Sequence, residues 1–146
     1  MIEKTGDLFS TDAPFIAHGV NCRGVMGSGI AVQFRQRYPE MYEQYRLQCQ
    51  RGVFWPGEVF VWAAPEVTVL NISSQFEPGP NATLDYLRKG LFRALLTADR
   101  QVLALPRIGC GIGGLDWDSQ VKPAILAAES DFELGPDQIE VWTLPS

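Results

Sequence analysis

The sequence predicts a layered α/β fold built around a largely parallel sheet. Short apolar runs alternate with longer segments whose apolar residues recur at helical spacing, a pattern typical of parallel strands covered by helices. Two glycine-rich stretches, residues 24–29 and 109–114, each follow an apolar run. With 146 residues, the chain is expected to form a single domain.

Six strands are predicted from apolar segments bounded by turn residues. The first is a short edge strand that ends before the turn beginning at Gly6. The predicted strands cover residues 1–4, 15–20, 57–62, 67–71, 102–105 and 139–144.

Four helices are predicted between these strands, at residues 28–38, 39–50, 83–100 and 119–131. Pro39 marks the boundary between the first two, and Pro123 is tolerable only in the first turn of the last. Residues 73–81 contain two prolines and no periodicity, which predicts a loop. The longest helix is expected to bury a stripe of leucines at positions 84, 87, 91, 95 and 96.

The composition excludes some classes of function. The net charge of −5 argues against broad, non-specific binding to nucleic acid, which needs a basic surface. Three cysteines without zinc-type spacing, Cys22, Cys49 and Cys110, predict reduced thiols and a cytoplasmic protein. No secretory leader and no apolar run near ~20 residues is found, so no membrane association is expected. A monomer is expected.

Each glycine-rich stretch lies between a predicted strand and a predicted helix, where several backbone N–H groups point at one spot. The glycine order does not match a dinucleotide-binding turn, and no glycine precedes Lys-Ser or Lys-Thr as in a P-loop. Either stretch alone is equally compatible with a tight turn that packs a helix on a strand. Together they favour the two walls of a diphosphate-binding cleft.

In the segments given below, the chain resembles the macrodomain family of ADP-ribose-binding modules. The matching segments are residues 6–9, 17–18 with 21–22, 26–31, 105–111 and 113–117. The resemblance is strongest to the branch that contains terminal ADP-ribose protein glycohydrolase, the DNA ADP-ribosyl glycohydrolase antitoxins and the fungal ADP-ribose-1″-phosphate phosphatase. It implies a three-layer α/β/α fold over residues 1–146, with a mixed, largely parallel central sheet. It also implies ADP-ribose as the ligand, with no cofactor and no metal.

The resemblance assigns a place to each matching residue. Asp7 would accept a hydrogen bond from the adenine amino group, with Leu8 beside it. Asn21 would face the distal ribose, and Ser74 and Phe76 would also contact the ligand. The first phosphate loop would comprise Met26, Gly27, Ser28, Gly29, Ile30 and Ala31. The second would comprise Ile108, Gly109, Cys110, Gly111, Ile112 and Gly113.

Two positions depart from the glycohydrolase pattern. Gln75 stands where those relatives have a lysine that attacks C1″ of the ribose, and Gly113 stands where the protein glycohydrolase has an aspartate. An amide cannot form a Schiff base, so the covalent route is expected to be closed. A water oriented by the ligand's own phosphate or by His18 remains, with Asn21 and Gln75 beside the reacting ribose.

Three functions follow from the resemblance. The first is removal of ADP-ribose from a modified macromolecule, DNA or protein, with DNA favoured by residues 113–117. The second is an ADP-ribose-1″-phosphate phosphatase that uses His18, because the fungal phosphatase has a histidine at the matching place. The third is a reader of ADP-ribose without turnover, which the missing lysine supports.

Several of these side chains also have purely structural interpretations. His18 could be a buried imidazole that packs the base of the first loop, and Asp116 could cap a helix instead of acting on water. Cys22 and Cys110 are expected to pack beside the ligand, because no nearby base lowers a thiol pKa. Phe76 could stack on the ligand or merely close its loop. The arginines at 23, 35 and 37 could meet a nucleic-acid strand or form a solvated helix face.

Overall fold

The computed structural model describes residues 1–145 and contains a six-stranded sheet. The strands are β1 (Ile2–Thr5), β2 (Phe15–Val20), β3 (Val59–Ala63), β4 (Thr68–Ser73), β5 (Leu103–Pro106) and β6 (Ile139–Thr143). They lie in the order β1-β6-β5-β2-β4-β3. The edge strand β3 is antiparallel to β4, and the other pairings are parallel. The mixed, largely parallel sheet is therefore confirmed.

Four α-helices cover the two faces of this sheet: α1 (Ile30–Arg37), α2 (Pro39–Gln50), α3 (Leu84–Ala98) and α4 (Lys122–Asp131). Phe34 of α1 and Met41 and Tyr45 of α2 pack with one core. The leucines of α3 and Ile125 of α4 pack with the core on the opposite face. The three-layer α/β/α arrangement is confirmed. Within residues 1–145, every helix is too short or too polar to cross a bilayer.

Helix α3 lies unusually close to the sheet. Thr83 caps its first turn by accepting a hydrogen bond from the N–H of Tyr86, and Gly90 faces β4. A β-carbon at Gly90 would collide with the side chain of Ile72, so this contact requires glycine. The expectation that Leu96 belongs to the buried stripe is wrong: its side chain is 57% exposed. Leu96 follows Leu95 by about 100° around the helix, and that rotation points it to solvent.

The last helical segment starts two residues earlier than the sequence predicts. A π-helical turn at Trp117–Val121 precedes α4, and Asp116 accepts hydrogen bonds from the N–H and hydroxyl of Ser119. Pro123 then falls in the first turn of α4, as expected. The predicted loop at 73–81 begins one residue later, because Ser73 still belongs to β4.

The chain path determines where a cleft opens. After β2 the chain continues into α1 on one face of the sheet, and after β5 it continues into α4 on the other. Strands β2 and β5 are neighbours, so their following loops diverge. Such a switch point in an open α/β sheet leaves a crevice outside the carboxyl ends of the strands.

Candidate functional site

A cleft of about 710 Å³ lies at this switch point, within the size range of sites for small molecules and cofactors. The loop after β2 forms one wall and the loop after β5 forms the other. The ends of β4 and β6 contribute the floor and flanks, through Ser74, Gln75, Trp142 and Thr143. The cleft is an open groove with a glycine-rich loop on each side.

The first loop delivers an uncapped helix end to the cleft. Gly29 precedes α1 with φ +61° and ψ −149°, a conformation that side-chain-bearing residues rarely adopt, and no side chain caps the helix. Within residues 1–145, the backbone N–H groups of residues 26–31 have no hydrogen-bond acceptor. Such N–H groups at a helix N-terminus form a site for an anion.

The second loop is a compact turn with a similar property. Gly109 has φ +79°, and its carbonyl accepts a hydrogen bond from the N–H of Leu115. The N–H groups of residues 111–113 have no acceptor within residues 1–145. Ile112 is 51% exposed, and its Cδ1 lies 3.7 Å from the place where a β-carbon on Gly29 would stand. The two loops therefore approach each other over the cleft.

Asn21 holds the first loop in shape. Its Oδ1 accepts hydrogen bonds from the N–H of Arg23 at 2.9 Å and from the hydroxyl of Tyr45 at 3.0 Å. Its Nδ2 donates to the carbonyl of Val25 at 2.8 Å. The Tyr45 hydroxyl also donates to the Asn21 carbonyl at 2.7 Å. Asn21 lines the cleft but is only 9% exposed, so it positions backbone as well as facing a ligand.

Gln75 shapes the loop after β4. Its Nε2 donates to the carbonyl of Glu77 at 2.6 Å and to that of Gly79 at 2.9 Å, while the residue lines the cleft. Beside it, Ser74 Oγ stands 2.7 Å from where a β-carbon on Gly19 would lie. Glycine at position 19 therefore lets Ser74 reach the floor of the cleft.

Few charged side chains line the cleft. They are Asp7, Arg107 and Asp116, and no lysine is found among the cleft-lining residues of the described part of the chain. Asp7 accepts a hydrogen bond from the N–H of Phe9 at 3.0 Å, and Arg107 lies over the Trp117 ring and 3.7 Å from Glu3. Hydrogen bonds from Ser119 hold the pKa of Asp116 below its usual range. An anion in the cleft would thus be held mainly by backbone dipoles.

His18 lies in the core rather than in the cleft. It is fully buried, stacks on Phe34 with ring centroids 3.8 Å apart, and its Nε2 donates to Asn71 Oδ1 at 2.6 Å. The Asn71 amide orientation is fixed because its Nδ2 donates to the Phe60 carbonyl. Burial lowers the pKa of His18 to about 4, against the opposing effect of this hydrogen bond. The imidazole is therefore neutral at pH 7.

The two loop thiols are poor nucleophiles. Burial raises the pKa of Cys110 to about 11 and also raises the pKa of Cys22, whose Sγ lies 2.9 Å from the Ser73 hydroxyl. The thiolate is the reactive form, so neither cysteine is activated at neutral pH. Cys110 lines the cleft, whereas Cys22 is buried in the core and does not line it; the expectation that both pack beside the ligand stays a prediction.

The structure brings most of the predicted site residues together. Fifteen of the seventeen predicted ligand contacts line the cleft: Asp7, Leu8, Asn21, Gly27, Ser28, Gly29, Ile30, Ala31, Ser74, Ile108, Gly109, Cys110, Gly111, Ile112 and Gly113. Gln75 lines it as well.

Three predicted residues lie outside the cleft lining. Met26 is 1% exposed and packs into the core beneath the first loop. Phe76 contacts Arg23 and Trp55 and does not line the cleft. His18 belongs to β2, and its side chain is buried in the core and does not line the cleft. Each of these three side chains packs against other side chains instead of facing the cleft. The sequence motif does not show this packing.

Several lining residues were not predicted. Trp142 and Thr143, from the end of β6, flank the cleft beside Asp7, and Val25 and Arg107 contribute to its walls. The end of β6 could have been anticipated, since neighbouring parallel strands deliver their carboxyl ends to the same edge of a sheet. The sequence does not indicate that Arg107 lines the cleft, because the direction of its side chain depends on packing against Trp117.

This fold and this cleft define an α/β protein with an anion-accepting site at the carboxyl ends of its parallel strands. The macro domain family model matches residues 17–124, almost three quarters of the chain. The chain therefore belongs to the macrodomain family.

Named relatives lie within this family. The DNA ADP-ribosyl glycohydrolase of Mycobacterium tuberculosis is 34% identical over 97% of this chain, and that of Thermus aquaticus is 31% identical over 94%. The chain spans only 41% and 39% of the length of these two relatives. The ADP-ribose 1″-phosphate phosphatase of Candida albicans is 24% identical over 77% of the chain.

The solved macrodomain of Mycobacterium tuberculosis DarG is similar in structure, with a TM-score of 0.83 and 34% identity. This match covers 100% of the chain and 99% of the solved domain. The Thermus aquaticus DarG macrodomain gives a TM-score of 0.79 at 28% identity, covering 99% of this chain and 97% of that one.

Proposed function

We propose that this macrodomain binds ADP-ribose in the cleft and hydrolyses its bond to a modified DNA base. The observation that supports this proposal is a pair of loops, at 27–31 and 111–113, which line a common groove and whose N–H groups have no acceptor within residues 1–145. Two adjacent phosphates would supply acceptors to both loops at once.

The ends of the cleft suit the two ends of this ligand. Asp7 and Leu8 form one end, where a free carboxylate oxygen can accept from the adenine amino group. Asn21 and Gln75 form the other end, where the distal ribose would lie. The acidic chain is no obstacle, because backbone N–H dipoles rather than net positive charge neutralise the diphosphate.

The reaction would proceed by direct attack of water. The oxygen of water bonds to C1″ of the distal ribose while the bond from C1″ to the base breaks. One water proton ends on the departing base, and free ADP-ribose is released. Covalent alternatives lack a nucleophile: Gln75 replaces the lysine, and burial raises the pKa values of the loop thiols. The ligand's own phosphate is the group left to orient the water.

DNA is the favoured modified macromolecule. The sequence Gly-Gly-Leu-Asp-Trp at 113–117 resembles the DNA-directed members, and the two similar bacterial relatives carry the name DNA ADP-ribosyl glycohydrolase. A phosphatase that uses His18 is disfavoured, because this imidazole is buried, neutral and outside the cleft lining.

Calorimetric titration with ADP-ribose tests binding, and Gly27→Val is the informative variant. A β-carbon at Gly27 meets only Val25 Cγ1 at 3.4 Å, so the variant is expected to fold while its side chain obstructs the phosphate loop. We expect at least a tenfold loss of affinity. Gly135→Val is the matched control, because a β-carbon there also meets only ordinary contacts and the residue lies outside the cleft lining. A folded Gly27→Val protein with full affinity contradicts the loop assignment.

Hydrolysis is tested separately with a single-stranded oligonucleotide that carries ADP-ribose on one base. Release of free ADP-ribose, followed by chromatography, supports the glycohydrolase. Tight binding without release identifies a reader. Phosphate release from ADP-ribose-1″-phosphate, abolished by His18→Gln, would instead support the phosphatase.

A further inference from the structure

An aromatic surface lies beside the cleft-lining residue Gln75, on the loop after β4. Trp55 is 58% exposed and lies with its ring centroid 6.4 Å from that of Phe76. The Arg23 guanidinium lies over the Phe76 ring, 4.7 Å from its centroid. We refer to Trp55, Phe76 and Arg23 as the aromatic platform. Because Phe76 follows Gln75 directly, the platform continues the cleft wall outward.

A backbone hydrogen bond joins the platform to the first loop. The N–H of Cys22 donates to the Phe76 carbonyl at 2.9 Å, which ties the loop after β4 to the loop after β2. Arg23 Nε donates to both carboxylate oxygens of Glu77, at 2.9 and 3.0 Å. This exposed ion pair offsets the charge of the guanidinium.

The core does not account for the exposure of Trp55. Trp117 is buried, and Trp62 and Trp142 are half-buried against the core. Trp55 instead presents more than half of its surface to solvent, next to Phe76, the residue that follows the cleft-lining Gln75. Large aromatic surfaces in such places commonly serve binding, since they offer wide contact area at low conformational cost.

We infer that the aromatic platform stacks against the nucleobase that carries the ADP-ribose. This inference rests on the proposed function, which places the distal ribose at Asn21 and Gln75. The group attached to C1″ would emerge at that end, next to the platform. Flat rings with a stacked guanidinium match a flat aromatic base better than they match the flexible side chain of a modified protein.

The charge of the surface sharpens this assignment. Since Glu77 neutralises Arg23, the platform offers little net attraction for the phosphodiester backbone. Recognition would thus depend on stacking rather than on counterion release, and affinity would fall only weakly with salt. An acidic protein would in this way select a modified base without binding unmodified DNA in general.

The test compares Trp55→Ala with Phe92→Ala. Phe92 is a matched control because it is 54% exposed on α3, where it packs against Phe132 and lies outside the cleft lining. The probes are an ADP-ribosylated single-stranded oligonucleotide, an ADP-ribosylated peptide and free ADP-ribose. Each competes with fluorescent ADP-ribose in rapid anisotropy measurements, completed before appreciable turnover.

We expect Trp55→Ala to weaken binding of the modified oligonucleotide about tenfold, from the usual range of base stacking on aromatic side chains. Free ADP-ribose and the modified peptide should bind within twofold of wild type, and Phe92→Ala should change none of the three affinities. Equal losses for oligonucleotide and peptide would overturn the nucleobase as the occupant.

The failures of the two proposals are distinguishable. If wild type binds ADP-ribose but Trp55→Ala behaves like Phe92→Ala toward the oligonucleotide, the platform inference is wrong and the proposed cleft stands. If wild type binds no ADP-ribose, both are wrong.

Discussion

Replacing His18 by glutamine should remove a large part of the acid sensitivity of the fold. His18 is the only histidine in the chain, so the substitution deletes all histidine titration. The amide nitrogen of glutamine can still donate to Asn71, as Nε2 of the imidazole does at 2.6 Å. Loss of the stacking on Phe34 will lower stability at every pH, and the pH dependence is therefore the informative quantity.

The magnitude follows from the pKa of His18, which burial lowers from 6.5 to about 4. Between these values the unfolded chain binds a proton that the folded chain does not, so stability falls as the pH falls. At 1.36 kcal/mol per pKa unit, the full effect is about 3 kcal/mol. Roughly 2 kcal/mol of it should be lost between pH 7 and pH 5, given the same linkage.

Urea unfolding at pH 7, 6 and 5 measures this difference. Carboxylates that titrate in both proteins cancel when the two pH profiles are subtracted. We expect wild type to lose roughly 2 kcal/mol more than His18→Gln over this interval, as the same linkage requires. Parallel profiles would mean that His18 is protonated normally in the folded state, and the buried, neutral imidazole described above would be wrong.

Three further predictions concern the cleft. Gln75→Lys should introduce an amine that attacks C1″, so borohydride should trap an ADP-ribose adduct visible by mass spectrometry. The control is Gln75→Met, which loses the hydrogen bonds to the carbonyls of Glu77 and Gly79 but has no amine, and it should give no adduct. An adduct with the methionine variant would point to another nucleophile. Asp116→Asn keeps an acceptor for the Ser119 N–H, so ADP-ribose release should stay within twofold of wild type; a hundredfold fall would instead make Asp116 a base. Asp7→Ala should weaken ADP-ribose binding about fivefold by calorimetry. It should change the affinity for the hypoxanthine analogue little, because that base lacks the amino group that Asp7 accepts from. Equal losses for the two ligands would show that Asp7 does not recognise adenine.

The order of strands and helices was predictable because local signals agree with the global packing. Pro39, Gly52 and Pro123 mark helix limits, and each apolar run became a strand of the sheet. Leu96 was mispredicted because five leucines spread over more of the helix than one buried stripe can cover. The π-helical turn at Trp117–Val121 has no periodicity signal, so its start was missed.

The parts of the site that the backbone forms could be predicted from the sequence. The parts that depend on how distant side chains pack could not. Glycines at 29 and 109 with positive φ are visible in the sequence as glycine clusters. The support that Tyr45 gives to Asn21 crosses 24 residues and leaves no local trace. His18 illustrates the same limit, because only the position of Phe34 and Asn71 reveals that its imidazole is buried.

The near meeting of Ile112 and Gly29 has a kinetic consequence. Over the groove, Ile112 Cδ1 lies 3.7 Å from the place where a β-carbon on Gly29 would stand, so the gap between the two loops is narrow at this point. We expect the second loop to move away from Gly29 when a diphosphate ligand enters between the loops. Association should then be slower than diffusion allows, and shortening Ile112 to alanine should speed both entry and escape.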